Sequence, residues 1–209
     1  MTLPYQDVSP SRILVRATNW IGDAVMSIPA LEAIRKRFPD AHIAILARPW
    51  VTDVYQGAAF CNEIIPHPPG RLDAVRLLQA GRFGAALLLP NSFDSALICW
   101  LARIPIRIGY ARDGRSLLLT HPVPVPKPGE IPTHERYYYL ELLRRAGWLD
   151  KLPEDGAPIH LPVTPRPFDD LGPVIGLSPG AALARPSAGS QNASRNPPCN
   201  WRISGTPRL

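Results

Sequence analysis

The sequence predicts an α/β fold in which helices cover both faces of a parallel sheet. Short and wholly apolar segments, such as 13–17 and 85–89, alternate with segments in which apolar residues recur at helical spacing. Strands of a parallel sheet are buried on both faces, so they appear as continuous apolar runs. Polar residues follow the first run at once, as they do where ligands bind beyond the carboxyl ends of parallel strands.

The first 81 residues contain three strands and three helices in alternation. Pro29 is expected to kink the first helix or to begin its main part. Gly81 is expected to close the third helix from the position just past its C-terminus. In chain order the predicted elements are strand 13–17, helix 24–38, strand 42–47, a short helix at 51–59, strand 63–65 and helix 72–80.

The alternation continues to residue 148. Residues 109–134 are predicted to form a long loop that contains arginines and prolines, and a loop of that length is more often functional than accidental. The predicted elements around it are strand 85–89, helix 92–103, strand 104–108 and, after the loop, helix 135–148.

The pattern changes after residue 150. Residues 151–173 are proline-rich and have the composition of an interdomain linker. A new apolar strand at 174–177 and the turn at 178–182 predict the beginning of a second domain. Residues 183–209 contain no Asp, Glu or Lys and no apolar periodicity, so we expect them to be disordered.

Composition disfavours several classes of function. Of the formal net charge of +6, four positive charges lie on arginines of 183–209, so the remainder carries only +2 and nucleic-acid binding has little support. Three widely spaced cysteines predict neither a disulfide framework nor a zinc site, and they suit a reducing compartment. No apolar run is long enough to cross a bilayer, and we expect a cytoplasmic protein.

Polar residues at the predicted strand ends are the candidate site, and we expect them to face one cleft. Asp23 is either a helix cap or an anion with a catalytic task. A glycine beside it permits a tight turn, but the G-x-G-x-x-G fingerprint is absent, which disfavours a nicotinamide dehydrogenase. The other candidates are residues whose types are more often found as turn, cap or surface residues: Asn91, Ser92, Arg107, Arg112, Arg115 and His134.

Five ordered motifs resemble the ADP-heptose:lipopolysaccharide heptosyltransferases, and the type II enzymes most closely. The resemblance covers about residues 12–182. The motifs are Asn19-Trp20-Ile21-Gly22-Asp23-Ala24-Val25-Met26-Ser27-Ile28-Pro29, Leu89-Pro90-Asn91-Ser92-Phe93, Arg107-Ile108-Gly109-Tyr110, His134-Glu135-Arg136-Tyr137 and Ser178-Pro179-Gly180-Ala181-Ala182.

The resemblance implies a two-domain GT-B glycosyltransferase with a Rossmann-like N-terminal domain, here 12–150, that holds the acceptor. By the same resemblance Asp23 is the catalytic base, which takes the proton of a sugar hydroxyl as ADP leaves with inversion. Residues 174–182 would begin the donor domain, with Ser178, Gly180 and Ala181 in its first loop. The implied acceptor-binding residues are Asn19, Trp20, Gly22, Asn91, Ser92, Arg107, Arg112, Arg115 and His134.

The implied partners are ADP-heptose as donor and a lipid A core containing Kdo and heptose as acceptor. The arginines would meet the carboxylates and phosphates of that core. GT-B enzymes commonly need no bound metal, and no cofactor is expected. The acceptor places the enzyme transiently at a membrane surface, at the inner face of the inner membrane.

Residues 183–209 depart from the family, which continues with a segment Ala-Lys-Arg-Trp and a nucleotide-binding domain. With codons chosen for the purpose, residues 183–190 read in another frame give Gly-Pro-Ala-Lys-Arg-Trp-Leu. A frameshift near Ala182 is therefore our expectation, and a chain without the donor domain would transfer no heptose. The alternatives are a non-catalytic acceptor-binding remnant and another GT-B nucleotide-sugar transferase.

Overall fold

Six parallel strands form one sheet in the computed structural model, which describes residues 10–154 and 157–161. The order across the sheet is β3-β2-β1-β4-β5-β6, so the chain begins at the centre and builds outward first to one edge and then to the other. The strands are β1 (Arg12–Arg16), β2 (His42–Ala47), β3 (Glu63–Pro66), β4 (Ala85–Leu88), β5 (Ile106–Tyr110) and β6 (His121–Val123).

Among the described residues, four α-helices cover the two faces of the sheet. Helices α1 and α4 pack against each other, and α2 packs against α3. Each pair has its own buried apolar cluster. The helices are α1 (Ile21–Arg37), α2 (Arg71–Gly81), α3 (Phe93–Leu101) and α4 (Glu135–Arg145), with short 3-10 turns at Thr52–Tyr55 and Arg115–Leu118.

The central strands are buried on both faces. In β1, Ile13 and Val15 belong to the cluster beneath α1 and α4, whereas Leu14 belongs to the cluster beneath α2 and α3. All three side chains are fully buried. This confirms the predicted α/β fold, because only a sheet covered on both faces requires wholly apolar strands.

Several predicted boundaries move by a few residues. Helix α1 begins at Ile21 rather than at residue 24, and it runs unbroken past Pro29, which is neither its start nor its end. Gly81 is the last residue of α2, and Arg82 takes the left-handed conformation after it (φ 48°). The fifth strand occupies Ile106–Tyr110 instead of 104–108.

The predicted long loop at 109–134 contains a sixth strand. Strand β6 pairs in parallel with β5, with His121 opposite Ile108 and Val123 opposite Tyr110. Its middle residue is Pro122, which cannot donate a backbone hydrogen bond and is tolerated in strands only where no partner needs that donor, as at a sheet edge. The strand lies at the edge of the sheet, which explains why the proline-rich pattern concealed it.

The predicted strand at 174–177, the turn at 178–182 and the tail at 183–209 lie outside the described residues, as does most of the predicted linker at 151–173. Within the part of the chain that the structure describes, no helix is long and apolar enough to span a bilayer.

The glycine positions give opposite predictions for stability. Gly22 lies inside α1, and a Cβ atom there would meet nothing within 4 Å, whereas a Cβ on Gly109 would lie 3.1 Å from Nη2 of Arg115. We expect Gly22→Ala to raise the free energy of unfolding by about 0.5–1 kcal/mol through helix propensity. Gly109→Ala is expected to lower it by about 1–3 kcal/mol through overpacking. Urea denaturation measures both, and a less stable Gly22→Ala chain would contradict this placement.

Candidate active site

A cleft of about 250 Å³ opens at the carboxyl edge of the sheet. It is formed where the segments after β1 and β4 meet the first turns of α4. Strands β1 and β4 are neighbours at the point where the sheet order reverses, which is where ligands bind in open parallel sheets. The lining residues are Thr18, Asn19, Trp20, Asp23, Leu89, Pro90, Asn91, Ser92, Glu135, Tyr138 and Tyr139.

Asp23 lies in the first turn of α1 and is not its cap. The N-cap position belongs to Trp20, and no side chain caps the helix. Burial raises the pKa of Asp23 above its ordinary value, because desolvation disfavours the ionised carboxylate. The prediction that Asp23 caps the helix is therefore wrong. Asp23 is instead a partly desolvated carboxyl group that faces a cleft.

The turn before Asp23 does not need a glycine. Gly22 has no left-handed backbone conformation and lies within α1, so the predicted tight turn is instead the first turn of the helix. Gly22 does not line the cleft. The space around its Cα is nevertheless open, because nothing lies within 4 Å of a Cβ placed there.

Asn19 and Trp20 form the β1 side of the cleft. The Asn19 side-chain oxygen accepts a hydrogen bond from Nη2 of Arg16 at 2.8 Å. Its backbone carbonyl accepts one from Nε1 of Trp50 at 3.0 Å. Trp20 is 66% exposed. The segment is thus held from two sides while a large aromatic surface stays open to a ligand.

Asn91 and Ser92 form the β4 side. Ser92 is the N-cap of α3, with its hydroxyl accepting from the Ser95 amide at 3.4 Å, which confirms the cap reading of this serine. Asn91 donates from Nδ2 to the Tyr138 hydroxyl at 3.0 Å and accepts from Nη2 of Arg115 at 3.3 Å. Asn91 therefore joins three segments of the chain at the cleft.

The predicted cluster of arginines does not face this cleft. Arg115 is fully buried, and its guanidinium donates to the backbone oxygens of Tyr110, at 2.9 Å, and of Pro90. Arg107 donates to backbone oxygens of Ile104 and Leu118, before and after its strand, rather than to the cleft. Only Arg112 is exposed at the end of β5, 3.7 Å from Asp113.

The expectation of one shared cleft is therefore wrong for these three side chains. None of them lines it. Burial lowers the pKa of Arg115 to about 10, which is the electrostatic cost of placing a cation inside the fold to satisfy backbone oxygens. Arg115 supports the walls of the site from beneath.

His134 is the N-cap of α4, where its Nδ1 accepts from the Arg136 amide at 3.4 Å. It borders a neighbouring cavity of about 280 Å³ that it shares with residues of the 126–134 segment, Glu135 and Tyr138. The cap reading of His134 is thus confirmed, and the histidine lies beside the Asp23 cleft rather than within it.

Three cleft residues on α4 were missed as site residues. Glu135, Tyr138 and Tyr139 occupy one face of the first turns of α4. Their spacing of three and four residues is the signal that could have found them, since such residues lie on the same helix face. Partial burial and, secondarily, the neighbouring Asp23 carboxylate raise the pKa of Glu135.

The described residues contain no group of three or more His, Cys, Asp or Glu side chains that could hold a metal ion. Cys61 and Cys99 are free thiols. Burial raises the pKa of both, that of Cys99 to about 12, so both remain neutral thiols at physiological pH.

Comparison with known proteins identifies the family. Residues 71–186 match glycosyltransferase family 9 (heptosyltransferase). The lipopolysaccharide heptosyltransferase 2 of Salmonella typhimurium is 34% identical over 137 residues, which are 62% of this chain and 39% of that protein.

Solved structures agree in fold. The E. coli ADP-heptose lipopolysaccharide heptosyltransferase II is 30% identical with a TM-score of 0.59, over 72% of this chain and 45% of that one. A family 9 glycosyltransferase from Veillonella parvula is 20% identical with a TM-score of 0.61, over 74% and 45%, and shows the fold alone. The chain thus spans less than half the length of these relatives. It belongs to glycosyltransferase family 9, the heptosyltransferases.

Proposed function

We propose that this chain provides the acceptor-binding part, residues 12–150, of a type II heptosyltransferase. The reaction moves L-glycero-D-manno-heptose from ADP-heptose to an inner core of lipopolysaccharide that contains Kdo and heptose. The observation that carries the proposal is the carboxyl group of Asp23, which faces the cleft at the reversal point of the sheet and whose pKa is raised by burial.

Asp23 is the general base in this proposal. An acceptor hydroxyl attacks the anomeric carbon of the donor heptose, its proton passes to the Asp23 carboxylate, and the bond from that carbon to the ADP oxygen breaks with inversion. A base is more effective when its pKa is closer to the working pH. Partial desolvation moves Asp23 in that direction.

The other proposed acceptor contacts divide by location. Asn19, Trp20, Asn91 and Ser92 line the cleft, and an exposed tryptophan offers an apolar face to the C–H bonds of a sugar ring. Gly22 leaves open space next to Asp23 in the chain. His134 would contact the acceptor from the neighbouring cavity.

Anionic groups of the acceptor would bind outside the cleft. Arg112 is the exposed member of the predicted arginine set, and it is our proposal for a carboxylate or phosphate contact. Ser178, Gly180 and Ala181 remain proposed donor contacts. A transient position at the inner face of the inner membrane follows from the lipid-bearing acceptor.

A chimeric enzyme tests the proposal. Residues 1–161 of this chain replace the corresponding segment of E. coli lipopolysaccharide heptosyltransferase 2, and transfer is followed with radiolabelled ADP-heptose. We expect labelled heptose to appear on an acceptor core that carries Kdo and one heptose, and not on dextran. A folded chimera that labels neither acceptor, or both equally, would refute the assignment.

A further inference from the structure

We propose that Glu135 is a positioning residue of the acceptor site, and that the cleft binds two neighbouring hydroxyl groups of a neutral sugar ring. Asp23 accepts the hydrogen bond from the hydroxyl that reacts, and Glu135 accepts one from the hydroxyl next to it. This inference rests on the proposed function, because it assigns Asp23 to the acceptor.

The charge of the cleft favours a neutral ligand. Its lining contains two carboxyl groups, Asp23 and Glu135, and no Lys, Arg or His side chain. A phosphate or carboxylate placed between two carboxylates would be repelled at close range. A sugar hydroxyl instead donates to a carboxylate, and such charge-assisted hydrogen bonds are among the stronger ones. The chemistry therefore points to a polyol portion of the acceptor.

Both carboxylates are unengaged in the described part of the chain. Among residues 10–154 and 157–161 the side chains of Asp23 and Glu135 form no hydrogen bond and no ion pair. Glu141, on the same helix as Glu135, binds Arg144 and Arg145 at 2.6–2.8 Å. Asp23 and Glu135, which line the cleft, are therefore free to accept hydrogen bonds from the hydroxyl groups of a ligand.

The two carboxylates are held by rigid elements. Helices α1 and α4, which carry them, share one apolar cluster that includes Ile34 and Leu143. The start of α4 is tied to the sheet by Tyr138, whose backbone oxygen accepts from the Tyr110 hydroxyl at 2.7 Å and whose hydroxyl accepts from Asn91 at 3.0 Å. A pair of acceptors fixed in this way can select two hydroxyls at a set separation.

The pKa shift of Glu135 agrees with a position close to the Asp23 carboxylate. Partial burial is the main reason that the pKa of Glu135 is raised, and the Asp23 carboxylate adds to the effect while His134 opposes it. Burial, Asp23 and Glu135 all raise the pKa of Tyr139, whose buried side chain lines the same cleft. Among the described residues, the titratable side chains that line the two cavities with this pair are Lys127, His134, Tyr138 and Tyr139.

The test uses the full 209-residue chain and carbon-13 NMR of the side-chain carboxyls, with methyl α-D-mannopyranoside and its monodeoxy analogues as probes. The mannose ring is chosen because the heptose of the proposed reaction has the manno configuration. Glu135→Gln is compared with Glu32→Gln, a glutamate of α1 that lies outside the cleft, and thermal melting verifies that both variants fold.

We expect Glu135→Gln to weaken binding of the glycoside about tenfold. One deoxy analogue should bind the wild-type chain more weakly than the glycoside does. The same analogue should bind Glu135→Gln no more weakly than it binds the wild-type chain. The titration midpoint of Glu135 should fall in Asp23→Asn, because a neighbouring negative charge is removed, and should not move in Glu32→Gln. Equal glycoside binding by wild type and Glu135→Gln, or a Glu135 midpoint that does not move in Asp23→Asn, overturns the proposal.

Neither readout requires ADP-heptose. If the chimera transfers no heptose but the titrations of Asp23 and Glu135 are coupled, the proposed reaction is refuted and the site for two neighbouring hydroxyl groups is retained. If the chimera transfers heptose but the two titrations are independent, the proposed reaction is retained and the site for two neighbouring hydroxyl groups is refuted.

Discussion

Replacing Asp23 by asparagine is expected to lower the kcat of heptosyl transfer by the chimera about 10²- to 10⁴-fold, the usual contribution of a positioned general base. The change keeps the size of the side chain and its ability to accept a hydrogen bond, but it removes the group that takes the proton. The KM for the acceptor should change by less than about threefold, because an interaction needed in the transition state is lost while ground-state binding stays.

Steady-state kinetics with radiolabelled ADP-heptose measure both parameters. Glu32→Gln serves as the control, since it removes a carboxylate from the same helix outside the cleft, and it should leave kcat unchanged. If Asp23→Asn retains more than about a tenth of the wild-type kcat, Asp23 is not the general base.

Arg115→Met is expected to destabilise the fold by about 3–5 kcal/mol, because several buried acceptors lose their donor at once. The guanidinium of Arg115 serves the backbone oxygens of Tyr110 and Pro90, the hydroxyl of Ser95 at 3.2 Å and the side chain of Asn91. Methionine fills much of the volume and supplies no donor. The free energy of unfolding is obtained from urea titration.

Arg112→Met is the matched control, three residues earlier in the same loop. Its side chain is exposed and its only ion pair among the described residues is with Asp113 at 3.7 Å, so the expected change is within about 0.5 kcal/mol. If both substitutions change the free energy of unfolding by similar small amounts, Arg115 is a surface group, as expected of a basic binding loop. That result would contradict its buried position beneath the site.

The sheet was predictable because its strands are short apolar runs that alternate with longer segments of helical periodicity. The predicted strand 13–17 is shifted by one residue from the observed β1, and the predicted strand 85–89 is one residue longer than the observed β4. Strand β6 was not predictable in the same way. It owes its structure to pairing with β5 at the sheet edge, and its own sequence, with Pro122 at the centre, carries no strand signal.

The site was predictable where the chain itself carries the signal and not where folding brings distant segments together. Asp23 and Asn91 follow apolar strands, and strand ends predict ligand positions. Arg115 and Arg112 look alike in the sequence, and only the packed structure makes one of them fully buried and leaves the other exposed. Glu135 follows a loop whose path the sequence does not define, so its approach to Asp23 depends on how α4 packs on α1.

The corrected positions of the arginines change the view of recognition. A cleft expected to combine a base with three cations instead contains Asp23, Glu135 and aromatic and amide groups. Such a lining suits the neutral hydroxyls of a sugar, and in the proposed complex the charged groups of the acceptor would bind elsewhere on the surface. In that proposal the distribution of charge would give the acceptor one orientation, with its anions away from the reacting hydroxyl.

The most direct measurement is a backbone NMR titration of the 209-residue chain with a core oligosaccharide that carries Kdo and heptose. We predict that the amide signals that shift are those of the cleft, above all Asn19, Trp20, Asp23, Asn91 and Glu135, and that dextran shifts none of them. Shifts confined to another surface, or equal shifts with dextran, would contradict the claim that this cleft holds the acceptor.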